Sequence, residues 1–123
     1  MQKRYLVGVD LGTSGTKAAL YQIDGTLISE STVEVPLFYP KPGVVEQENE
    51  DFLTSAARSV QQCVRTSDVE PKEIAAIAFD SQMAGVGLID EDFKPVARFD
   101  SWLDMRCQPF IERMDKEAGD RIT

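Results

Sequence analysis

The chain has 123 residues, with 13 Lys+Arg against 21 Asp+Glu, a formal charge of −8, and no histidine. That length suits a single domain, and 42% hydrophobic residues suffice for a folded core. Imidazole is excluded as a base, a metal ligand or the middle of a Ser-His-Asp triad within this chain, so chemistry falls to carboxylates, hydroxyls, lysine or backbone.

The acidic balance, with a pI near 4.5, and the lack of a Lys/Arg stripe argue against a nucleic-acid partner. No apolar stretch approaches the ~20 residues of a membrane span. Met1-Gln2-Lys3-Arg4 leads into only a few apolar residues before Asp10, so neither a signal peptide nor a membrane anchor is expected. Cys63 and Cys107 lie in segments that read as helices and show no zinc spacing. Both read as buried free thiols in a reducing cytoplasm.

In chain order, Tyr5 to Val9 is a short apolar run that reads as a buried strand, stopped by Asp10 and the turn-forming cluster Gly12-Thr13-Ser14-Gly15-Thr16. Ala18 to Ile23 resumes extended character. Asp24-Gly25 predicts a type I′ hairpin turn, with Thr26 to Val35 as the returning strand. These strands form an antiparallel meander. Pro36, Pro40 and Pro42 make the following segment a loop or lid.

Asn49 is an acceptable N-cap, and Phe52, Leu53, Ala56, Ala57, Val60, Cys63 and Val64 follow one helix face to about Arg65. Ile74 to Phe79 is an apolar run that reads as a fully buried strand, central in the sheet and parallel to the first. Val86 to Ile89 and Val96 to Phe99 predict a second hairpin. A last helix is predicted from near Asp104, with Cys107, Phe110, Ile111, Met114 and Ala118 on one face. No closing strand follows Gly119-Asp120-Arg121-Ile122-Thr123, so the sheet reads as unfinished.

Chemistry concentrates in Asp10-Leu11-Gly12-Thr13-Ser14-Gly15-Thr16-Lys17. Glycines allow an anion to approach the backbone, hydroxyls and N–H groups donate to phosphate oxygens, and the carboxylate can hold hydrated Mg²⁺. The segment lacks the Gly-Lys-Ser/Thr of a Walker A loop, and no helix follows as a dinucleotide fingerprint requires. An ordinary Asp/Gly hairpin turn is the competing reading, with Lys17 a solvated charge on a strand edge.

Together with Gln82-Met83-Ala84-Gly85 and Trp102-Leu103-Asp104-Met105-Arg106, this segment resembles the start of the FGGY-family carbohydrate kinases. The xylulose kinase branch is the most similar, and Glu46-Gln47-Glu48 is a weaker fourth feature. The resemblance implies an α/β fold of the ribonuclease H-like class shared by actin, heat-shock 70 and sugar kinases. Its mixed sheet joins an antiparallel three-strand meander to a parallel strand with helices.

The resemblance also implies ATP-dependent phosphoryl transfer to a hydroxyl of a ketose or polyol such as xylulose. ATP would meet Gly12, Thr13, Ser14 and Lys17, and Mg²⁺ would sit beside Asp10 through water. Gln82, Met83, Trp102 and Asp104 would face the sugar. Ala84 departs from the histidine usual in xylulose kinases, which leaves a larger or less polar pocket. Trp102 and Asp104 read equally as a half-buried aromatic and a helix N-cap.

The family's aspartate base lies further along its sequence, as does a second domain supplying most of the adenosine pocket. The resemblance therefore implies that this chain is the N-terminal portion of the first domain and inactive alone; a cytoplasmic location is expected, and an uncovered sheet edge predicts self-association into homo-oligomers. The alternative is a non-catalytic nucleotide- or sugar-sensing module of the same superfamily.

Overall fold

The computed structural model describes residues 4–121. Met1–Lys3, read above as opening a chain without a signal peptide, and Ile122–Thr123, read as part of an unclosed end, lie outside the described residues.

Strands β1 (Tyr5–Leu11), β2 (Gly15–Gln22) and β3 (Leu27–Glu34) form the predicted meander. Helix α1 (Asn49–Arg65) leads to strand β5 (Ile74–Ser81). The four-stranded sheet has the order β3-β2-β1-β5, with β1 and β5 parallel and the other pairs antiparallel. Two-residue strands β4 (Glu46–Gln47) and β6 (Phe99–Asp100) pair separately, and helix α2 (Gln108–Ala118) comes last. This mixed sheet with its helices is the expected fold class.

Strand alternation divides the sheet into two faces. Val7 and Val9 of β1 and Ala18 and Leu20 of β2 are buried with Ala56 and Cys63 of α1. The helix approaches closely because small side chains lie between. The Ser55 and Thr16 hydroxyls are 2.6 Å apart, Ser31 Oγ donates to Ser59 O at 2.5 Å, and Ser29 Oγ donates to Cys63 O at 2.7 Å. The opposite face, carrying Gly8, Asp10, Lys17, Ala19, Tyr21, Ala78 and Asp80, is an open hollow of about 340 Å³.

Several local expectations are corrected. The β2–β3 turn is not type I′: only Gly25 has positive φ, at 93°. Gly25 N–H closes on Gln22 O at 2.9 Å, and Asp24 Oδ1 accepts the Thr26 N–H, which holds the Asp24 carboxyl below its ordinary pKa. Glu48 rather than Asn49 is the N-cap of α1, and Asn49 Nδ2 instead donates to Ala97 O at 2.8 Å.

β5 is parallel to β1 as expected but occupies the sheet edge among the described residues, with Ile77 45% and Phe79 63% exposed. The second hairpin shrinks to an isolated Ile89–Pro95 bridge, while Val86 bridges Asp100. The last helix starts at Gln108, after Cys107, with Pro109 in its first turn, where a missing N–H costs nothing. Phe110, Ile111 and Met114 on its apolar face are exposed, and so is Cys107; only Cys63 is a buried thiol.

Candidate functional site

Because β1 and β5 are parallel and Leu11 is the register partner of Ser81, both strands end together. The Gly12–Ser14 loop and the Gln82–Gly85 segment therefore leave the sheet side by side, at the carboxyl ends where open α/β sheets place ligands. The Gln82 N–H on Leu11 O, at 2.9 Å, continues the ladder past the last strand residue.

The loop is closed by the Gly12 N–H on Gly15 O at 3.0 Å, and Ser14 O takes the Val35 N–H at 3.1 Å. A Cβ at Gly12 would meet Gly15 O at 2.8 Å, so the turn accepts only glycine there. Among the described residues the Thr13 and Ser14 N–H groups have no backbone acceptor. That arrangement is suited to an anion.

Lys17 belongs to β2, where it is the register partner of Asp10, while Asp80 partners Asp10 from the other side. Alternation therefore sets Asp10, Lys17 and Asp80 together on the open hollow below the loop. No cluster of three or more metal-ligating side chains occurs among the described residues. Asp10 is an exposed carboxylate flanked by Lys17 and Asp80, the type of donor that meets Mg²⁺ alongside water and phosphate oxygens in nucleotide sites.

Thr13 joins this loop to the other candidates. Its Oγ1 accepts the indole N–H of Trp102 at 2.8 Å, across 89 residues of sequence. An indole nitrogen only donates, so the Thr13 hydroxyl keeps its own proton for another acceptor. Its carbonyl accepts Gln47 Nε2 at 3.0 Å, and Gln47 Oε1 accepts Gln82 Nε2 at 2.8 Å.

Gln82 lines a cavity of about 260 Å³ with Leu11, Phe52, Ser81, Ala84, Gly85 and Phe99. Phe52 and Phe99 meet edge to face at 5.0 Å. Ala84 holds φ 61°, a left-handed conformation that histidine and asparagine adopt more readily than most residues. Met83 is 83% exposed beside it.

Asp104 reaches this region through the loop it fastens. Its side chain is almost buried, with Oδ2 accepting the Val45 N–H at 2.9 Å and both oxygens accepting Arg106 Nε at 3.0 Å. The Arg106 hydrogen bond is the main cause holding the Asp104 carboxyl down to about 2, and it shifts the guanidinium upward in turn. Arg106 also contacts Asp100 at 2.6 Å and Glu46 at 3.3 Å. Asp104 is thus a turn fastener rather than the N-cap of α2.

The structure brings together Thr13, Gln82 and Trp102, three of the residues singled out in the sequence, and places Gln47 between Thr13 and Gln82. Gln47 was legible only as part of the weak Glu46-Gln47-Glu48 feature, because a buried amide between two glutamates reads as solvent-facing polarity.

The model of the FGGY family of carbohydrate kinases, N-terminal domain, matches residues 5–122. The chain is 33% identical over 119 residues to the xylulose kinase of Bacillus subtilis (strain 168), covering 97% of this chain and 24% of that protein. It is 31% identical over 120 residues to the glycerol kinase of Thermococcus gammatolerans, covering 98% and 24%. The fold superposes on the ligand-bound xylulose kinase of Lactobacillus acidophilus with a TM-score of 0.83 at 24% identity, over 93% of this chain and 23% of that one. The chain spans about a quarter of the length of the relatives it matches. With its matched span running from the first described strand through the last helix, the chain belongs to the FGGY family of carbohydrate kinases.

Proposed function

We propose that this chain is the phosphate-loop and acceptor-side portion of an ATP-dependent kinase that transfers the γ-phosphoryl group to a hydroxyl of a ketose or polyol such as xylulose. ATP with Mg²⁺ supplies the phosphoryl group and neutralises its developing charge. Gly12, Thr13 and Ser14 would bind phosphate oxygens through N–H and hydroxyl donors, Lys17 would add a positive charge, and Asp10 would hold Mg²⁺ through water. Gln82, Met83 and Trp102 would face the acceptor, with Asp104 shaping that side through the Val45–Arg106 fastening. The general base is assigned to the remainder of the whole protein, so the chain alone is expected to be inactive.

The observation that carries this reading is the meeting of both residue sets on Thr13. Its hydroxyl takes Trp102 and its carbonyl takes Gln47, which in turn holds Gln82. A phosphate loop and an acceptor pocket that must react in line need this kind of fixed separation.

The test is ATP consumption by the whole protein against a panel of ketoses and polyols, where stimulation by at least one is expected. No stimulation across the panel counts against the reading, and ligand binding without transfer would select the sensing alternative. Asp10→Ala is expected to reduce kcat by about 100-fold or more, the scale of losing one transition-state electrostatic contact.

For the chain alone, we propose self-association through the β5 edge, where Ile77 and Phe79 are exposed. A sedimentation run giving a clean monomer at high concentration would contradict it. No helix among the described residues is long and apolar enough to cross a membrane, in keeping with a proposed cytoplasmic location.

A further inference from the structure

Gln47 is a neutral amide with 0% of its surface exposed. It lies between Glu46 and Glu48, which are engaged by the Arg98 and Arg106 guanidinium groups. Nothing about core packing requires an amide there, but its hydrogen bonds have a direction.

Thr13 O, being a carbonyl, can only accept, so Gln47 must turn its NH₂ toward it. Gln47 Oε1 then faces Gln82, which must turn its own NH₂ toward Gln47. Gln82 Oε1 is what remains: a buried acceptor with no partner among the described residues. Flipping either amide would set oxygen against oxygen or NH₂ against NH₂, so Thr13 fixes the orientation of both. The leftover acceptor belongs to a residue lining the cavity of Leu11, Phe52, Ser81, Ala84 and Phe99, where Ser81 is the other polar residue of a mostly apolar wall.

We propose that Gln47 is a positioning residue: it holds Gln82 in the amide orientation that presents Oε1 to a substrate hydroxyl, and it ties that orientation to the phosphate loop through Thr13. This assignment rests on the kinase reading above. It makes the acceptor pocket selective for a donor group, and it makes the two sides of the site sense one another through two amides rather than through a moving domain.

The experiment is a double-mutant cycle in the whole protein, reading sugar KM, ATP KM and kcat separately. Gln47→Met and Gln82→Met are each expected to raise sugar KM about tenfold, and the double variant is expected to match the worse single one within about twofold, since both break one relay. Independent, multiplying losses would mean that Gln47 supports the structure without acting through Gln82, and would overturn the proposal.

Should Gln47→Met fail to fold, Gln47→Glu keeps the size and still accepts from Gln82 Nε2 but cannot donate to Thr13 O as a carboxylate. It should raise ATP KM while leaving sugar KM within about twofold; the reverse split would overturn the relay. Wild-type protein that consumes no ATP with any sugar overturns the kinase reading itself. Wild-type turnover with unchanged variant kinetics overturns the positioning role alone.

Discussion

From Tyr5 to Arg65 the strand and helix side chains largely find partners within the described residues, as when Val7, Val9, Ala18 and Leu20 close on Ala56 and Cys63. From Gln82 to Ala118 the apolar residues do not: Val86, Ile89, Val96, Phe110, Ile111 and Met114 are each more than half exposed. That second region is placed by polar fasteners instead. Ser101 N–H reaches Val45 O, Met105 N–H reaches Gly43 O, Asp104 takes Val45 and Arg106, and Trp102 takes Thr13. Burial fixes the Tyr5–Arg65 region, whereas directional bonds and charges fix the Gln82–Ala118 region, which should therefore respond more to pH and less to small changes of volume.

The largest expected contrast comes from one substitution made in each region. At Gly12 a Cβ would meet the Gly15 carbonyl, a backbone atom that cannot step aside, so Gly12→Ala should cost about 1–3 kcal/mol in chemical unfolding. At Gly85 a Cβ would meet Phe99 Cζ at 2.1 Å and Asp100 O at 3.1 Å, but the nearer obstacle is the far end of a side chain, so Gly85→Ala should cost less. An equal or larger loss at Gly85 would break the comparison.

Thr16→Val would strip the buried 2.6 Å contact with Ser55 from the packed region and cost about 1 kcal/mol, because Ser55 Oγ keeps its bond to Phe52 O. Thr16→Val combined with Ser55→Ala should cost less than the sum of the single changes, read by thermal or urea unfolding.

The fastened region has an acid dependence with a definite sign. The Asp104 carboxyl titrates at about 2, below its ordinary value, because of Arg106. Its contribution to stability is therefore complete above about pH 4 and lost as pH falls from there toward about 2. Asp104→Asn should remove that part of the dependence, which thermal unfolding at a series of pH values would detect. The smallest effect is at Ala84, where Ala84→Gly should relieve left-handed strain and gain up to about 1 kcal/mol.

The same division explains what the sequence made legible. Alternating apolar residues in Tyr5–Val9 and Ala18–Ile23, and the helical spacing through Phe52, Ala56 and Cys63, report burial that the chain completes nearby. Ser55, Ser59 and Thr16 are as buried as those residues, yet hydroxyls in an amphipathic pattern read as the solvent side. Ile74 to Phe79 looked central because apolar continuity reports a tendency to be covered and carries no information on where the cover comes from. Asp104 reads in the sequence as a sugar-facing carboxylate and equally as a helix cap; the structure corrects the cap, because the same residue type can hold an arginine two positions on. Of the site, the charged and glycine-rich loop was plain in the sequence, while the Thr13–Gln47–Gln82 linkage was not, since it depends on three segments meeting.

Trp102 is the only tryptophan in the chain, and its indole N–H rests on the hydroxyl of a loop threonine. Indole emission shifts with the polarity and hydrogen bonding around that nitrogen. Anything that settles on Thr13, or draws its proton away, should therefore alter the colour of the fluorescence, giving this stretch of protein a built-in optical gauge of loop occupancy without any attached dye.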